Sequence, residues 1–401
     1  MPRRPGGLIG RLGSTALFTA ALVVLAGCQA DLGTAGCSFE LRSTLPASPL
    51  DLMSRARLDR VGAAFALSGL EADGKTVRWR GLDEAGAAGP EQSLALPASA
   101  SGPWLAFAGD ALLIAHGLAA ANGTDVELRL IVAPTAGAAS TPAAGPVLAT
   151  IPGALAGAAS PGVAIGASRT GGHATLAWYD AQVAGVQAVT VTAAGVGLAA
   201  PKVIEPSTPV SCLAFVPGRD AATLSFYRHP NGPSEDPELV IIELDEQGAV
   251  TGTLQLLLDA RGAGCPQLRA TATGYVLAFQ DMRGSWLGVY TAATTSLDLT
   301  PYASAVGYPG GRQPPLAGLA PVADGYAVVV QGAHGGEVWR LDATGHRRPG
   351  SLYLPSVAGS TGEISTWTSP DGIYATYADY TVGDAGTGME GQRFFVRAAC
   401  L

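Results

Sequence analysis

The sequence predicts an all-β fold, a seven-bladed β-propeller, and three observations support this prediction. A short strand pattern recurs seven times at a period of about 50 residues. Each repeated unit contains four short runs rich in Val, Tyr, Phe, Trp and Thr, which are separated by Gly, Asp or Pro. No long segment with helical periodicity and capping residues follows the N-terminal region. Four-stranded units repeated four to eight times are typical of β-propellers. Six or eight blades, and a pair of β-sandwiches, are the alternatives.

The recurring pattern marks the second strand of each unit. It consists of an apolar or aromatic residue, then a mostly polar or small residue, then Gly, Asp or Arg. Its seven occurrences are Leu67-Ser68-Gly69, Ala115-His116-Gly117, Trp178-Tyr179-Asp180, Phe226-Tyr227-Arg228, Phe279-Gln280-Asp281, Val330-Gln331-Gly332 and Tyr377-Ala378-Asp379. A second marker with Asp and Gly follows several third strands, as in 82–86, 244–248 and 341–345, and it predicts a hairpin turn.

Unit five shows the four strands of a repeat most clearly. The predicted strands are Gln267–Thr271, Tyr275–Gln280, Trp286–Thr291 and Leu297–Ala303, and they are joined by turns that contain Gly or Thr. Runs of this length and composition are typical of β-strands.

The last unit lacks a fourth strand at the C-terminal end of the sequence. Its third strand, Gln392 to Arg397, is followed directly by Ala398, Ala399 and Cys400. A spare strand, Cys37–Arg42, lies near the other end. We therefore expect this N-terminal strand to complete the last blade and close the ring.

The N-terminal residues indicate a signal peptide. Arg3, Arg4 and Arg11 precede an apolar run from Ala16 to Ala26, and small residues follow it. The run ends in Leu25-Ala26-Gly27-Cys28, which resembles the lipobox of bacterial lipoproteins. An ordinary signal peptide with an incidental cysteine, or an uncleaved helix, is the alternative.

With the lipobox and the blade repeat together, the chain resembles bacterial lipoproteins that carry a seven-bladed β-propeller domain. The resemblance implies a signal peptide at 1–27, a lipidated tether at 28–36 and a propeller domain at 37–401. It also implies acylation of Cys28 and a membrane as partner through this anchor. Gln29 after the acylated cysteine implies the outer membrane, facing the periplasm or the cell surface.

Four cysteines remain once Cys28 carries lipid, and an even number in an exported protein indicates disulfides. Three pairings are possible. The repeat register favours Cys37–Cys400, across the closing strand pair, and Cys212–Cys265, because both members of this second pair begin the first strands of adjacent units. No Cys-x-x-Cys or paired-His motif is present, so no metal is expected.

The composition does not support a nucleic-acid partner, and we expect a monomer without a cofactor. The formal net charge is −8, with 24 basic and 32 acidic side chains, whereas nucleic-acid binding needs clustered Lys and Arg. No standard motif of hydrolases, metalloenzymes or nucleotide-binding proteins occurs, so no catalytic residue is assigned.

Three aspartates form the candidate binding face: Asp180, Asp281 and Asp379 share one repeat position at the end of the second strand. Such strand ends and the loops after them lie on one face of a propeller. A carboxylate pair there could catalyse glycoside hydrolysis, or an acidic rim could bind a ligand. Asp is also a common turn residue, which is the structural alternative.

Two functions therefore stand at this stage. The first is a lipid-anchored binding or scaffold module for a protein or glycan partner at the cell envelope. The alternative is an envelope glycan hydrolase or lyase that uses the acidic residues of the loop-rich face. The lack of a catalytic motif favours the binding module, because fold alone does not assign activity.

Overall fold

The computed structural model describes most of the chain after residue 36. The described ranges are 37–45, 57–61, 64–71, 73–97, 100–134, 145–153, 162–167, 172–207, 209–216, 222–229, 236–258, 264–281, 283–292, 296–304, 316–322, 324–332, 335–354, 364–369, 372–382 and 389–400.

Within these ranges, 28 strands form seven four-stranded antiparallel sheets, and each sheet is one blade. The first strand is β1 (Cys37–Thr44). Blade 1 is β2 (Arg57–Val61), β3 (Ala64–Leu70), β4 (Thr76–Leu82) and β5 (Gln92–Ala95). Blade 2 is β6 (Ser101–Ala108), β7 (Ala111–Ala119), β8 (Val126–Pro134) and β9 (Val147–Ile151). Blade 3 is β10 (Val163–Ala167), β11 (His173–Asp180), β12 (Gly185–Thr192) and β13 (Lys202–Pro206).

The other four blades follow the same order along the chain. Blade 4 is β14 (Val210–Phe215), β15 (Ala222–Arg228), β16 (Glu238–Leu244) and β17 (Val250–Leu257). Blade 5 is β18 (Gln267–Ala270), β19 (Gly274–Gln280), β20 (Gly284–Thr291) and β21 (Leu297–Ser304). Blade 6 is β22 (Leu316–Val322), β23 (Gly325–Gly332), β24 (Gly335–Asp342) and β25 (Arg347–Tyr353). Blade 7 is β26 (Ser365–Ser369), β27 (Gly372–Val382), β28 (Met389–Cys400) and β1. The predicted seven-bladed β-propeller is confirmed.

Strand β1 closes the ring, as the sequence predicts. It pairs antiparallel with β28, and the register places Cys37 opposite Cys400 and Phe39 opposite Ala398. A bulge between Leu41 and Ser43 shifts this register by one residue. The first strand of each blade lies at the axis, where β2 contacts both β6 and the β26 strand of blade 7. The two ends of the described chain therefore share one sheet.

The hydrophobic core consists of seven layers, one between each pair of neighbouring blades. Alternate residues of a second strand serve different layers, because successive strand side chains point to opposite faces. In β7, Leu112 and Ile114 pack against blade 1, whereas Leu113 and Ala115 pack against blade 3. Both faces of these strands are buried, so their sequences are continuous apolar runs rather than alternating ones.

The layer between blades 7 and 1 has the same construction as the other six. Leu45, directly after β1, packs in one cluster with Leu58 and Phe65 of blade 1 and Phe395 of blade 7. The rings of Phe65 and Phe395 are 5.3 Å apart between centroids. Ring closure therefore rests on side-chain packing as well as on the β1–β28 ladder.

The predicted strand bounds need correction at the last hairpin. The sequence predicts a third strand from Gln392 to Arg397. Instead β28 begins at Met389 and continues to Cys400, and it pairs with β27, which continues to Val382. In unit five the bounds agree within two residues of the prediction.

The predicted signal peptide, tether and lipidated Cys28 lie outside the described residues. Among the residues that are described, no helix is long and apolar enough to cross a membrane.

Candidate functional site

An axial cavity of about 520 Å³ lies among the inner strands of blades 1 to 5. Each of these blades contributes wall residues, such as Arg57, Leu105, Ile165, Phe215 and Arg269. Blades 1, 3 and 5 contribute the first residues of their inner strands, blade 2 contributes the middle of its inner strand, and blade 4 contributes the last residues. Because first and second strands are antiparallel, the contributions of blades 1, 3 and 5 lie toward the face that carries the turns after the second strands.

Most of the wall is apolar. Aliphatic and aromatic side chains of β6, β10, β14 and β18 form it, together with Pro103 and Pro266. The polar members include Gln267 and Ser225, whose hydroxyl donates to the carbonyl oxygen of Ala214 at 3.4 Å. Among the described residues, no carboxylate lines the cavity. Cavities of this size with few polar groups are typical of sites for small molecules.

Arg269 is the buried charged residue of the wall. It lies in β18, is 8% exposed, and donates from Nη1 to the carbonyl oxygen of Leu268 at 2.9 Å. Burial lowers the pKa of its guanidinium to about 10, because a low-dielectric surrounding disfavours the charged form. That pKa is still well above neutrality. Arg269 is therefore a cation that faces an apolar cavity.

Arg57 contributes the second positive charge of the wall, in a different setting. Its Nε lies 2.8 Å from Oδ2 of Asp59, and its Nη1 donates to the carbonyl oxygen of Leu105 at 2.7 Å. The first contact balances its charge, and the second joins blade 1 to blade 2 across the edge of the cavity. Its side chain is 44% exposed. Arg57 is therefore the more exposed of the two arginines in the wall.

The disulfide between Cys212 and Cys265 borders the cavity and confirms the predicted pairing. The two Cα atoms are 5.2 Å apart. Cys212 has φ of +56°, within the irregular register of β14 between Ser211 and Ala214. Cys265 itself lines the cavity, four positions before Arg269. The bridge therefore joins the inner strand of blade 4 to the segment that leads into β18.

Asp180 caps the turn between β11 and β12. It is 2% exposed, and its Oδ1 accepts hydrogen bonds from the backbone N–H groups of Gln182 and Val183 at 2.9 and 3.4 Å. Its Oδ2 accepts a bond from Nε2 of Gln187 at 2.6 Å. Asp commonly caps turns in this way. Asp180, a predicted binding residue, therefore uses its carboxylate to stabilise the turn.

Asp281 has the same arrangement in blade 5. Its Oδ1 accepts bonds from the backbone N–H groups of Arg283 and Gly284 and from Nε1 of Trp286, at 2.8, 3.0 and 2.9 Å. Burial opposes ionisation of this carboxyl, but the hydrogen bonds from Trp286 and Arg283 outweigh burial and hold its pKa below the usual range. An ionised carboxylate cannot donate a proton as a general acid at neutral pH.

Asp379, the third predicted residue, lies in β27 with its backbone opposite Gln392. Its side chain is outside the described part of the structure. In blade 4, which lies between the blades of Asp180 and Asp281, the same repeat position is occupied by Arg228. Its guanidinium forms ion pairs with Glu238 at 2.6 Å and with Glu205 of blade 3 at 3.4 Å. This part of the face therefore carries both signs of charge. No cluster of three or more metal-ligating side chains occurs in the described ranges.

Arg269 is the sequence feature that indicates the cavity, although the repeat pattern alone does not reveal its role. Arg269 interrupts a short first strand, Gln267–Ala270, whose other positions are apolar or neutral. A charged residue inside a strand next to the propeller axis is a candidate for the channel wall. Its association with Arg57, over 200 positions earlier, becomes visible once the blades are arranged around the axis.

His116 is fully buried in β7, at a repeat-marker position, and is absent from the cavity wall. Neither ring nitrogen makes a hydrogen bond of normal geometry within the described residues, although the backbone of Ile114 lies close to the ring. Burial lowers the pKa of this imidazole and the charge of Arg129 acts in the same direction, while the Ile114 backbone opposes both. His116 is therefore a structural residue that folds in its neutral form.

We expect His116→Leu to raise the free energy of unfolding by about 1–3 kcal/mol, because it removes a buried polar group whose ring nitrogens make no hydrogen bond of normal geometry. The unfolded chain binds a proton near pH 6.5, whereas the folded chain resists protonation. Wild-type stability therefore falls as the pH drops below about 6.5, and the stability gained by the substitution grows in that range.

Urea denaturation between pH 7.5 and 5 measures both effects. His346→Leu, on an exposed turn, is the control. An equal pH dependence in wild type and His116→Leu would contradict this interpretation.

Comparison with known proteins concerns the fold alone. The sequence matches no protein-family model and no curated protein. Among solved structures, the chain is similar to the polysaccharide lyase Uly1, with a TM-score of 0.50 and 9% identity over 86% of this chain and 89% of that chain. At this identity the likeness supports the β-propeller class and says nothing of activity.

Two further solved structures are similar over part of their length. One comes from a study of two prolyl endopeptidases, with a TM-score of 0.49 and 12% identity over 96% of this chain. The other is puromycin hydrolase, with a TM-score of 0.47 and 15% identity over 88% of this chain. The chain spans 55% and 54% of these two proteins.

Proposed function

We propose that this chain is a lipid-anchored, extracytoplasmic β-propeller that acts as a binding module for a protein or glycan partner at the cell envelope. The observation that carries the proposal is the axial cavity, which residues of five blades line. A concave, largely apolar site with a few polar groups is suited to holding a ligand. The Leu25-Ala26-Gly27-Cys28 motif supports the anchor and the envelope location.

Binding accounts for the site better than glycan hydrolysis or cleavage does. The carboxylates of Asp180 and Asp281 accept hydrogen bonds from their own turns, and that of Asp281 has a lowered pKa. A glycosidase needs one carboxyl that keeps its proton near neutral pH and a second one within reach of the same bond. The described wall of the cavity contributes neither.

Site-specific photo-crosslinking in intact cells tests the proposal. A benzophenone amino acid replaces Val183, 49% exposed in the turn after β11, or Val250, 42% exposed at the start of β17. These two valines lie on opposite faces, since one follows a second strand and the other a third. We expect an envelope adduct from position 183 and none from 250, and we expect Cys28→Ala to abolish incorporation of labelled palmitate into the protein.

Three outcomes would contradict the proposal. Equal adducts from both positions would show that the cavity-bearing face is not the binding face. The absence of an adduct from position 183 would remove the evidence for a partner there. Palmitate incorporation that is equal in the wild type and in Cys28→Ala would contradict the lipid anchor at Cys28.

A further inference from the structure

We propose that the propeller lies with one face against the lipid bilayer, and that an exposed apolar turn of blade 3 enters the bilayer surface. This face carries the turns between the third and fourth strands, and the opposite face carries the turns after the second strands. The inference rests on the lipid anchor of the proposed function and adds the orientation of the domain and the surface that contacts lipid.

Exposed apolar side chains are concentrated at this face. Among the described residues, nine large apolar side chains are exposed. Six of them lie at or beside the junction of a third and a fourth strand in blades 2, 3 and 4: Val132, Val147, Val196, Leu198, Val203 and Val250. An exposed apolar patch of this kind marks a surface that contacts a membrane or another protein.

The turn of blade 3, residues 192–201, is the centre of this patch. It contains no charged residue, and Val196 and Leu198 are 61% and 45% exposed. Gly195 has φ of +78°, and a Cβ atom there would lie 2.5 Å from Cγ2 of Val132, so the turn packs directly against blade 2. The turn and Val132 therefore form one continuous apolar surface.

The corresponding turns of other blades carry charge. In blade 4, Oδ1 of Asp245 accepts hydrogen bonds from two backbone N–H groups of its own turn at 2.9 and 2.7 Å. Asp342 caps the turn of blade 6 in the same way. In blade 3 this position is Thr192, whose Oγ1 accepts a bond from the N–H of Val196 at 3.2 Å. The blade 3 turn thus keeps a cap without a charge, which lowers the cost of placing it in lipid.

The lipid tether starts from the same face, and this identifies the bilayer as the surface that covers the patch. Cys37, the first residue of β1, lies opposite Cys400, where the third strand of blade 7 ends. The nine residues 28–36 span at most about 30 Å when extended. An acylated Cys28 therefore holds this face close to the bilayer, and an apolar patch on the face adds a second attachment to the acyl anchor.

Quenching by lipids that carry a nitroxide near the headgroup end of an acyl chain tests the proposal. The lipoprotein is purified from membranes with dansylalanine in place of Val196 and reconstituted in phosphatidylcholine vesicles that contain the nitroxide lipid. A zwitterionic lipid is used because Glu84 and Glu246 are exposed on neighbouring turns of this face. We expect quenching at least threefold stronger than for dansylalanine at position 183. Val183 is the matched control, an exposed valine in a turn of the opposite face.

A pair of charged substitutions tests the role of the blade 3 turn. Val196→Asp with Leu198→Asp should weaken quenching of dansylalanine at position 203 at least twofold, because carboxylates resist transfer into the acyl region. Val183→Asp is the control and should leave quenching at position 203 unchanged. If circular dichroism shows that the double variant does not fold, the comparison of positions 196 and 183 decides the question.

Each contrary outcome separates this inference from the proposed function. Equal quenching at positions 196 and 183, in protein that floats with the vesicles in a density gradient, would overturn the orientation and leave the anchor in place. Protein that does not float with the vesicles would overturn the anchor, and this inference with it. A benzophenone adduct from position 196 to a protein in intact cells, without the excess quenching, would assign the patch to a protein partner or a second copy and overturn the bilayer as its occupant.

Discussion

Leu45→Ala is expected to lower the free energy of unfolding by about 2–5 kcal/mol, the range for deleting a buried leucine side chain. Leu45 is 1% exposed and packs against Leu58, Phe65 and Phe395. It thus contributes to the layer in which the N-terminal segment holds blade 7 against blade 1. Its backbone N–H also donates to the carbonyl oxygen of Arg393 at 2.9 Å. Urea denaturation followed by circular dichroism measures the change.

The N-terminal segment provides a matched control in Leu41, which is 38% exposed on the closing strand β1. Leu41→Ala removes the same atoms from a position with little burial, so we expect a change of less than about 1 kcal/mol. A similar small change for both variants would show that the segment does not contribute to the core. That result would contradict closure of the ring by β1.

Removal of the Cys212–Cys265 bridge is the second substitution with a large expected effect. The cysteines are 53 positions apart, and the chain-entropy model gives about 4 kcal/mol for a loop of this length, with measured values typically about 2–4 kcal/mol. We expect Cys212→Ser with Cys265→Ser to lower the free energy of unfolding by this amount. The denaturation midpoint in urea measures the loss. An unchanged denaturation midpoint in the Cys212, Cys265 variant would show that the bridge does not constrain the chain.

Much of the fold could be predicted from the sequence because every blade of a propeller needs the same short pattern of strands and turns. Each blade needs four short strands and tight turns, so the markers around Tyr179, Gln280 and Ala378 recur at a regular period. The position of each residue within its repeat unit then predicted two contacts between distant parts of the chain. The pairing of β1 with β28 and the Cys212–Cys265 bridge are both confirmed.

The long last hairpin could not be predicted, because strand propensity is weak evidence where polar and small residues dominate. The segment from Tyr380 to Gly391 contains Gly, Asp and Thr, which are typical of loops, yet β27 and β28 extend into it from both sides. Backbone pairing across the hairpin, as between Thr381 and Glu390, stabilises an extension that the local sequence does not favour.

The candidate site was harder to predict than the fold. Asp180 and Asp281 share a repeat position, but this position is also the start of a turn. In the structure their carboxylates accept hydrogen bonds from the backbone of that turn. The cavity depends on five inner strands that are far apart in the chain. The presence of Arg269, Phe215 and Leu105 in the wall of one cavity is a property of the closed ring, which no local sequence pattern contains.

Disulfide mapping is the most direct test of ring closure. Directly opposite residues of antiparallel strands have Cα atoms about 4.5–5.5 Å apart, within the range that a disulfide requires. The register places Cys37 opposite Cys400. After mild oxidation and digestion without reductant, closure predicts a linked peptide pair that carries Cys37 and Cys400, beside a second pair with Cys212 and Cys265. Linkage of Cys37 to Cys212 or Cys265, or free thiols at both Cys37 and Cys400, would contradict closure of the ring by the N-terminal strand.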